Sequence, residues 1–299
     1  AAIKQGAYDF IEKPFNIEQL LVVVRRAMET SRLRQENIEL KRKDTPLSVM
    51  VGESNIFKNF VSNLDKVTKT NGRVLLTGGS GSGKEMAARY IHANSERASK
   101  PFISVNCASI APERMEDVLF GRDAGNSLPT DGLLSQADGG VIYFDEIADM
   151  PLVTQSKILR VLVDQKFQRV NGKSEVKVDL RVISSTSQDL REAIKQKSFR
   201  EELYHRLNVV PINVPSLSQR LEDIPLLFKH FAKTYNETQG LNLRSLSHEA
   251  STMLQTMSWP GNIRQLKNMV ERVLILGDGH GEVSIEDLPS ETKSEDNNL

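Results

Sequence analysis

A glycine-rich segment carries the clearest chemical signal in the sequence, because it matches the phosphate-binding pattern G-x-x-x-x-G-K. In a loop of this kind, backbone N–H groups surround phosphate oxygens at a helix N-terminus, and Lys84 adds a positive charge. Glu85 stands where the general pattern has Ser or Thr, so Mg²⁺ needs a ligand from elsewhere. A Gly-Ser loop that binds nothing is the alternative, which the strand-like run before it and the helical stretch after it disfavour. The segment consists of Gly78, Gly79, Ser80, Gly81, Ser82, Gly83, Lys84 and Glu85.

Two acidic residues, Asp145 and Glu146, follow an apolar run of the type that forms a buried strand. Asp145 can hold Mg²⁺ directly or through water, and Glu146 can orient the attacking water or take its proton. The alternative is that both residues only cap the following helix. Beside an intact phosphate loop, the pair predicts nucleotide hydrolysis.

The elements that position these residues alternate between strand-like and helical stretches over residues 45–215. This alternation predicts an α/β fold with a parallel sheet flanked by helices. Residues 216–285 lose the strand signal and predict a smaller all-helical domain. The predicted strands are 73–77, 102–105, 141–145, 180–186 and 209–214, and the predicted helices of the second domain are 224–235, 248–257 and 263–276.

The two ends of the chain differ from this central part. Residues 1–44 combine a short apolar segment with a charged helix from about Asn16, which is either a weak coiled-coil seam or a solvated linker helix. Residues 286–299 are mostly Ser, Glu, Asp and Asn, a composition typical of a linker.

The overall composition excludes several classes of protein. The chain has 299 residues, 39 Lys plus Arg against 39 Asp plus Glu, 39% hydrophobic residues and a single cysteine, Cys107. The longest apolar run, Leu20 to Val24, is too short to span a bilayer, and no signal peptide is recognisable. The expected location is a reducing cytoplasm. Zero net charge and the lack of an initial Met suggest a fragment of a larger protein.

Beyond the two motifs, the chain resembles the central ATPase domain of bacterial enhancer-binding proteins. These form the NtrC family of sigma-54-dependent response regulators, within the AAA+ superfamily. The resemblance covers residues 51–276, and this family also carries a glutamate at the position of Glu85. The matching strings are Val105 to Ala108, Leu119 to Gly121, Asp145 to Ile147, Phe199 to Tyr204, Arg206 to Val210, Glu222 to Pro225 and Trp259 to Arg264.

The resemblance implies an AAA+ ATPase with a helical lid, ATP and Mg²⁺ as cofactors, and a set of roles for individual residues. Arg200 and Arg206 resemble the arginine fingers that reach the γ-phosphate bound by a neighbouring subunit, although two arginines at this spacing are alternatively a solvated helix face. Arg264 resembles the sensor arginine of the lid. The remaining implied roles are nucleotide contacts for Val51 and Gly52, a switch that holds the catalytic glutamate for Asn106, and nucleotide sensing for Thr186 and Ser187.

The same resemblance implies partners and assembly. Residues 6–15 resemble the last strand of a phosphorylation receiver domain, with Phe10 and Lys13 at its switch positions. The expected partners are a sensor histidine kinase and DNA, both acting through domains outside this chain. The expected assembly is a homo-oligomer, either a dimer through the linker helix or a hexameric ring, and no membrane partner is expected.

Two departures from the family pattern concern function. The stretch between Gly121 and Ala137 is shorter than usual and lacks the Phe-Thr pair of the loop that contacts sigma-54, which argues against direct activation of sigma-54 RNA polymerase. Because it lacks this pair, the chain resembles a nitrogen-related branch of the family. Ser187 replaces the usual sensor asparagine, and its shorter side chain predicts slow hydrolysis with ATP binding retained. The alternative function is therefore a nucleotide-responsive oligomerisation and DNA-positioning regulator with vestigial catalysis.

Overall fold

The computed structural model describes Met28 and residues 50–123, 129–277 and 281–288. The chain divides into two compact units, residues 1–49 and residues 50–299. The receiver-like strand and linker helix predicted for residues 1–44 lie outside the described residues, apart from Met28, and so does most of the linker predicted for 286–299. The domain limits at 44, 215 and 285 stay predictions.

A five-stranded parallel sheet forms the centre of the second unit. Its strands are β1 (Val74–Thr77), β2 (Phe102–Asn106), β5 (Val141–Asp145), β8 (Arg181–Thr186) and β9 (Val210–Asn213), and their order across the sheet is β2-β5-β8-β1-β9. All six residues of β8 are buried, as expected for a parallel strand covered on both faces. Because the strands are parallel, their carboxyl ends meet at one edge, where the loops that follow them lie together.

Helices cover both faces of this sheet and close a separate apolar core on each. On one face Leu64 and Ile91 pack against residues of β1 and β5. On the other face Met115, Ile158 and Leu203 belong to a larger core. The helices are α1 (Asn55–Thr68), α2 (Lys84–Ala93), α3 (Pro112–Phe120), α4 (Leu133–Gln136), α5 (Leu152–Asp164), α6 (Leu190–Lys195) and α7 (Glu201–Leu207).

Three further helices pack around a third core and form the lid. Trp259 lies in this core, 4% exposed, and its indole N–H donates to Leu254 O at 3.0 Å. Ser247 caps the second of these helices by accepting from Ala250 N at 3.1 Å, as short hydroxyl side chains often do. The lid helices are α8 (Ile224–Gln239), α9 (His248–Thr256) and α10 (Asn262–Leu276).

Two short hairpins are not predictable from the sequence, since strands of two or three residues leave no periodic pattern. They are β3 (Gly121–Arg122) with β4 (Thr130–Asp131), and β6 (Lys166–Gln168) with β7 (Glu175–Lys177). The first encloses the shortened loop, whose residues 124–128 lie outside the described residues. Across the described ranges, no helix is long and apolar enough to cross a membrane.

Candidate nucleotide site

The glycine-rich loop joins β1 to α2 and closes around its own lysine. Gly81 and Gly83 have φ of 73° and 104°, a region that glycine enters freely because it lacks a Cβ. Lys84, the first residue of α2, is 6% exposed, and its Nζ donates to the carbonyl oxygens of Gly78 at 2.9 Å and Gly79 at 3.3 Å. The lysine charge is therefore held inside the loop, at the N-terminal end of a helix.

The residues of this loop fit a polyphosphate. The hydroxyl of Ser82 is buried and has no hydrogen-bond partner among the described residues, as expected of a group that hydrogen-bonds a ligand oxygen. There is no room for side chains at two of the glycines, because an added Cβ would lie 2.8 Å from Val214 O at Gly78 and 2.3 Å from Gly261 O at Gly81. The loop can thus offer backbone N–H groups, a hydroxyl and a cation to phosphate oxygens.

Asp145 ends β5 with its two carboxylate oxygens in different surroundings. Oδ1 lies 2.8 Å from the Tyr143 hydroxyl and 2.6 Å from the Ser185 hydroxyl. Oδ2 has the amide of Asn106 at 3.5 Å. This leaves Oδ2 available to a cation or to a water molecule bound to one.

A Mg²⁺ ion at this point would take most of its ligands from the nucleotide and from water. Within the described ranges, no group of three or more His, Cys, Asp or Glu side chains is arranged to hold a metal. One carboxylate together with phosphate oxygens and water is the ligand set that Mg²⁺ commonly has in nucleotide sites. The Asp145 carboxylate fits that set.

Glu146 follows directly, and both of its carboxylate oxygens are engaged. Oε1 lies 3.1 Å from Lys84 Nζ, and Oε2 accepts from the backbone N–H of Ser187 at 2.8 Å and from its hydroxyl at 2.9 Å. The residue has a left-handed backbone with φ of 50°, an uncommon conformation that costs about 1 kcal/mol or more and tends to occur at functional positions.

The contacts of Glu146 differ from the one that the family resemblance implies. Asn106 is expected to hold the glutamate, but its amide faces Asp145, and its Oδ1 caps the next turn by accepting from Ser109 N at 3.1 Å. Ser187 is expected to face the nucleotide and instead binds Glu146. The signal for this contact is the adjacency of β5 and β8, whose carboxyl ends carry the two residues. The switch and sensor roles of Asn106 and Ser187 stay predictions.

Thr186, the last residue of β8, contacts the start of the phosphate loop through its backbone. Its carbonyl oxygen accepts from Gly78 N at 3.3 Å, and its buried hydroxyl accepts from Gln188 N at 3.0 Å. A displacement of the C-terminal end of β8 would therefore move the phosphate loop through this hydrogen bond.

The lid lies against the phosphate loop through the start of α10. Arg264 is exposed, and its guanidinium donates to the Ser80 hydroxyl at 3.2 Å. The Asn262 side chain is buried and joins two segments, since its Nδ2 donates to Ser80 O at 2.9 Å while its Oδ1 accepts from Leu217 N at 2.8 Å. Sequence reasoning missed Asn262, although the Gly261-Asn262 pair before a helix marks a turn that often has special geometry.

The segment with Val51 and Gly52 is fixed to the beginning of the lid by a buried carboxylate that sequence reasoning did not single out. Asp223 is 1% exposed and accepts from Glu53 N at 2.7 Å and from Ser54 N at 2.9 Å. Val51 packs against the lid core. At Gly52 an added Cβ would lie 2.5 Å from the Phe57 ring, so the backbone passes close to that ring.

Arg200 and Arg206 lie at the two ends of α7, and both are exposed. Arg200 Nε donates to Leu152 O at 3.2 Å, whereas Arg206 approaches Arg73, whose pKa is lowered by burial and then by this second positive charge. Within the described part of the chain, neither arginine forms a hydrogen bond or ion pair with residues 78–85. The structure does not bring the two arginines to the loop of their own chain.

The sheet order, the loop after β1, the acidic pair after β5 and the helical lid together define a P-loop module of the AAA+ type. Residues 50–213 match the sigma-54 interaction domain family, and residues 218–299 match the AAA+ ATPase lid domain. The chain belongs to the sigma-54 interaction domain family and, among regulators of the NtrC type, it is NtrX-like.

Individual relatives agree with this assignment. The nitrogen assimilation regulatory protein NtrX of Azorhizobium caulinodans is 51% identical over 97% of this chain, and the DNA-binding transcriptional regulator NtrC of Salmonella typhimurium is 40% identical over 97%. A crystal structure of NtrX from Brucella abortus in complex with ATP is 49% identical over 97% of this chain, with a TM-score of 0.79. The chain spans 64%, 62% and 64% of the length of these three proteins.

Proposed function

We propose that this chain is the ATP-binding and ATP-hydrolysing AAA+ module of an NtrX-type two-component transcription regulator. The observation that carries the proposal is the meeting of Lys84, Asp145 and Glu146 at one edge of the sheet, beside a loop that fits a polyphosphate. The nucleotide in the Brucella abortus NtrX structure supports ATP as the ligand.

Each group has a part in the proposed reaction. The loop and Lys84 hold the β- and γ-phosphates, and Asp145 would hold Mg²⁺, whose positive charge would stabilise the charge that develops on the transferred phosphoryl group. ATP attracts Lys84 away from Glu146, and the freed carboxylate then orients a water molecule for in-line attack on the γ-phosphate. Arg264 already donates to Ser80 of the loop, so it can couple the nucleotide bound by the loop to the position of the lid.

The reaction is proposed to need a second subunit. Arg200 and Arg206 are exposed and away from their own loop, a position that suits donation to the γ-phosphate of a neighbour. An arginine finger of this kind typically raises the rate of hydrolysis by about a thousandfold or more. Leu152, whose carbonyl oxygen accepts from Arg200 Nε, and the adjacent Val153 are 41% and 66% exposed, so burial of both side chains against a second copy would be favourable. We therefore propose a homo-oligomer, with a ring as its active form.

The regulatory setting is proposed from the relatives. The whole protein is expected to receive a phosphoryl group from a sensor histidine kinase through a receiver domain and to bind DNA through a further domain. The loop between β3 and β4 is short and lacks the Phe-Thr pair, so we propose that the chain does not itself contact sigma-54.

Two measurements on the same preparations test the proposed activity. Calorimetry with Mg²⁺ and a non-hydrolysable ATP analogue measures binding, and phosphate release from ATP measures turnover. We expect micromolar or tighter binding and turnover that Asp145→Asn reduces strongly. Absence of nucleotide binding would contradict the proposal.

A second candidate function is favoured by the contacts of Glu146, whose two oxygens are both occupied by Lys84 and Ser187. If ATP fails to release this carboxylate, the chain is a nucleotide-responsive oligomerisation and DNA-positioning regulator with vestigial catalysis. Tight ATP binding that changes the oligomeric state, without phosphate release at any protein concentration, would support this candidate over the first.

A further inference from the structure

A buried amide on α5 connects the segment after Glu146 to the loop that carries Arg200. Gln155 is 0% exposed. Its Nε2 donates to Met150 O at 2.7 Å and to Ser198 O at 3.1 Å, and its Oε1 accepts the backbone N–H of Arg200 at 2.9 Å. Both amide hydrogens and one acceptor site of this side chain are therefore used by backbone groups of two other segments.

These backbone groups lack a regular partner, which explains why a polar side chain is buried here. Met150 follows the short helical turn Ile147–Asp149, and Arg200 is the residue immediately before α7. Neither position belongs to a helix or strand that would pair its outward backbone group. Because unpaired buried backbone groups are strongly unfavourable, the amide of Gln155 fixes the relative position of the two segments.

The connection is short on both sides. On one side, Met150 is four residues beyond Glu146, and Asp149 N donates back to Glu146 O at 3.0 Å. On the other side, Phe199 is 3% exposed and anchors the loop in the core directly before Arg200. The guanidinium of Arg200 is thus aimed by its backbone contact with Gln155 and by its own contact with Leu152 O.

We propose that Gln155 is a positioning residue, which aims Arg200 at the nucleotide of a neighbouring subunit by holding the backbone of Arg200 against that of Met150. The inference rests on the proposed function, in which Arg200 acts on a neighbour. Gln155 itself touches neither nucleotide nor water in this mechanism. Its loss is expected to damage the subunit that donates the finger and to spare the subunit that receives it.

A mixed-subunit assay separates these two roles. Glu146→Gln subunits cannot hydrolyse ATP but still offer Arg200, whereas Arg200→Ala subunits can hydrolyse ATP only with a finger from a neighbour. Mixing the two is expected to restore phosphate release that neither shows alone. Gln155→Leu is then added to either the Glu146→Gln donor or the Arg200→Ala acceptor.

With Gln155→Leu in the donor, we expect the restored turnover to fall at least about tenfold, since small misplacements of a catalytic group reduce rates by such factors. With the same change in the acceptor, we expect turnover within about twofold of the parental mix. Equal losses in both arrangements, or no loss in either, would overturn the inference while leaving the proposed function intact. A parental mix without turnover would instead contradict the trans role of Arg200, and the inference would fall with it.

Two further variants keep the test independent of folding. Gln155→Met preserves the length of the side chain without its hydrogen bonds and should show the same donor-specific loss if the leucine variant does not fold. Ile158→Ala, one turn further along α5 and 1% exposed, removes packing from the same core but no hydrogen bond to the Arg200 loop. The loss of phosphate release caused by Ile158→Ala should be the same in donor and acceptor.

Discussion

Glu146 Oε1 lies 3.1 Å from Lys84 Nζ, so the carboxylate proposed to activate water is paired with the cation proposed to bind phosphate. The lysine is buried in its loop, and the carboxylate is only 18% exposed. Phosphate oxygens compete for the same ammonium group, which means that nucleotide entry weakens the pair. In the proposed mechanism, this contact links substrate binding to the release of the base.

Replacing Glu146 by Gln is expected to separate binding from chemistry. The change removes the negative charge from Lys84, so affinity for ATP should be retained or increased, while turnover should fall at least about a hundredfold because general-base assistance is lost. Calorimetry and phosphate release measure the two effects. Glu175→Gln, at an exposed ion pair with Lys166, is the matched control and should change neither. Retained turnover in Glu146→Gln would contradict the assigned role.

Ser187→Ala is expected to accelerate hydrolysis. The serine hydroxyl is one of two donors to Glu146 Oε2, and a hydrogen bond to a charged group contributes about 1.5–3 kcal/mol. Because the backbone N–H remains, only part of the restraint is lost, and we expect a rise in turnover of up to about tenfold with unchanged ATP affinity. A decrease would mean that the hydroxyl acts on the nucleotide, as the sequence alone suggests.

Gly81→Ala is expected to weaken ATP binding by at least about tenfold. An added Cβ would lie 2.3 Å from Gly261 O and would push the lid away from the loop. Gly240→Ala is the matched control, since Gly240 has a similar φ of 69° but no atom within 4 Å of the added Cβ. Both variants carry the left-handed backbone cost of about 1–2 kcal/mol. Thermal denaturation should show a larger stability loss in Gly81→Ala, because its Cβ also clashes with Gly261 O, and calorimetry should show an affinity loss in Gly81→Ala alone.

The thiol of Cys107 is expected to be unreactive in the native protein. Burial raises the pKa of Cys107 to about 12, and the nearby carboxylates of Asp145, Asp149 and Glu146 add to the shift. At pH 8 the native thiol is therefore almost entirely protonated, whereas an unfolded cysteine with an ordinary pKa is partly ionised. Iodoacetamide at pH 8 should modify the chain rapidly in urea and hardly at all without it. Rapid native labelling would contradict the burial of this residue.

The amino-acid sequence is sufficient for the parts of the site that depend on local pattern. The buried strand before Asp145 is a continuous apolar run, and the loop around Lys84 has a distinctive glycine spacing, so both are recognisable from the order of the residues alone. Their meeting at one edge follows from the parallel sheet.

The parts that could not be predicted depend on segments that are distant in the chain. Asp223 binds Ser54 across 169 positions, and Asn262 binds Ser80 across 182. Nothing in the spacing of a single Asp, Asn or Gln says which backbone group it will meet. The contact of Gln155 with Arg200 is of the same kind.

The dependence of turnover on protein concentration shows whether each ATP is hydrolysed with an arginine from another subunit. Phosphate release per subunit should rise with concentration and approach a plateau as the oligomer forms. In Arg200→Ala, turnover should fall by about a thousandfold at concentrations where the oligomer forms, and the rise with concentration should disappear. A rate per subunit that is independent of concentration and unaffected by Arg200→Ala would contradict the account.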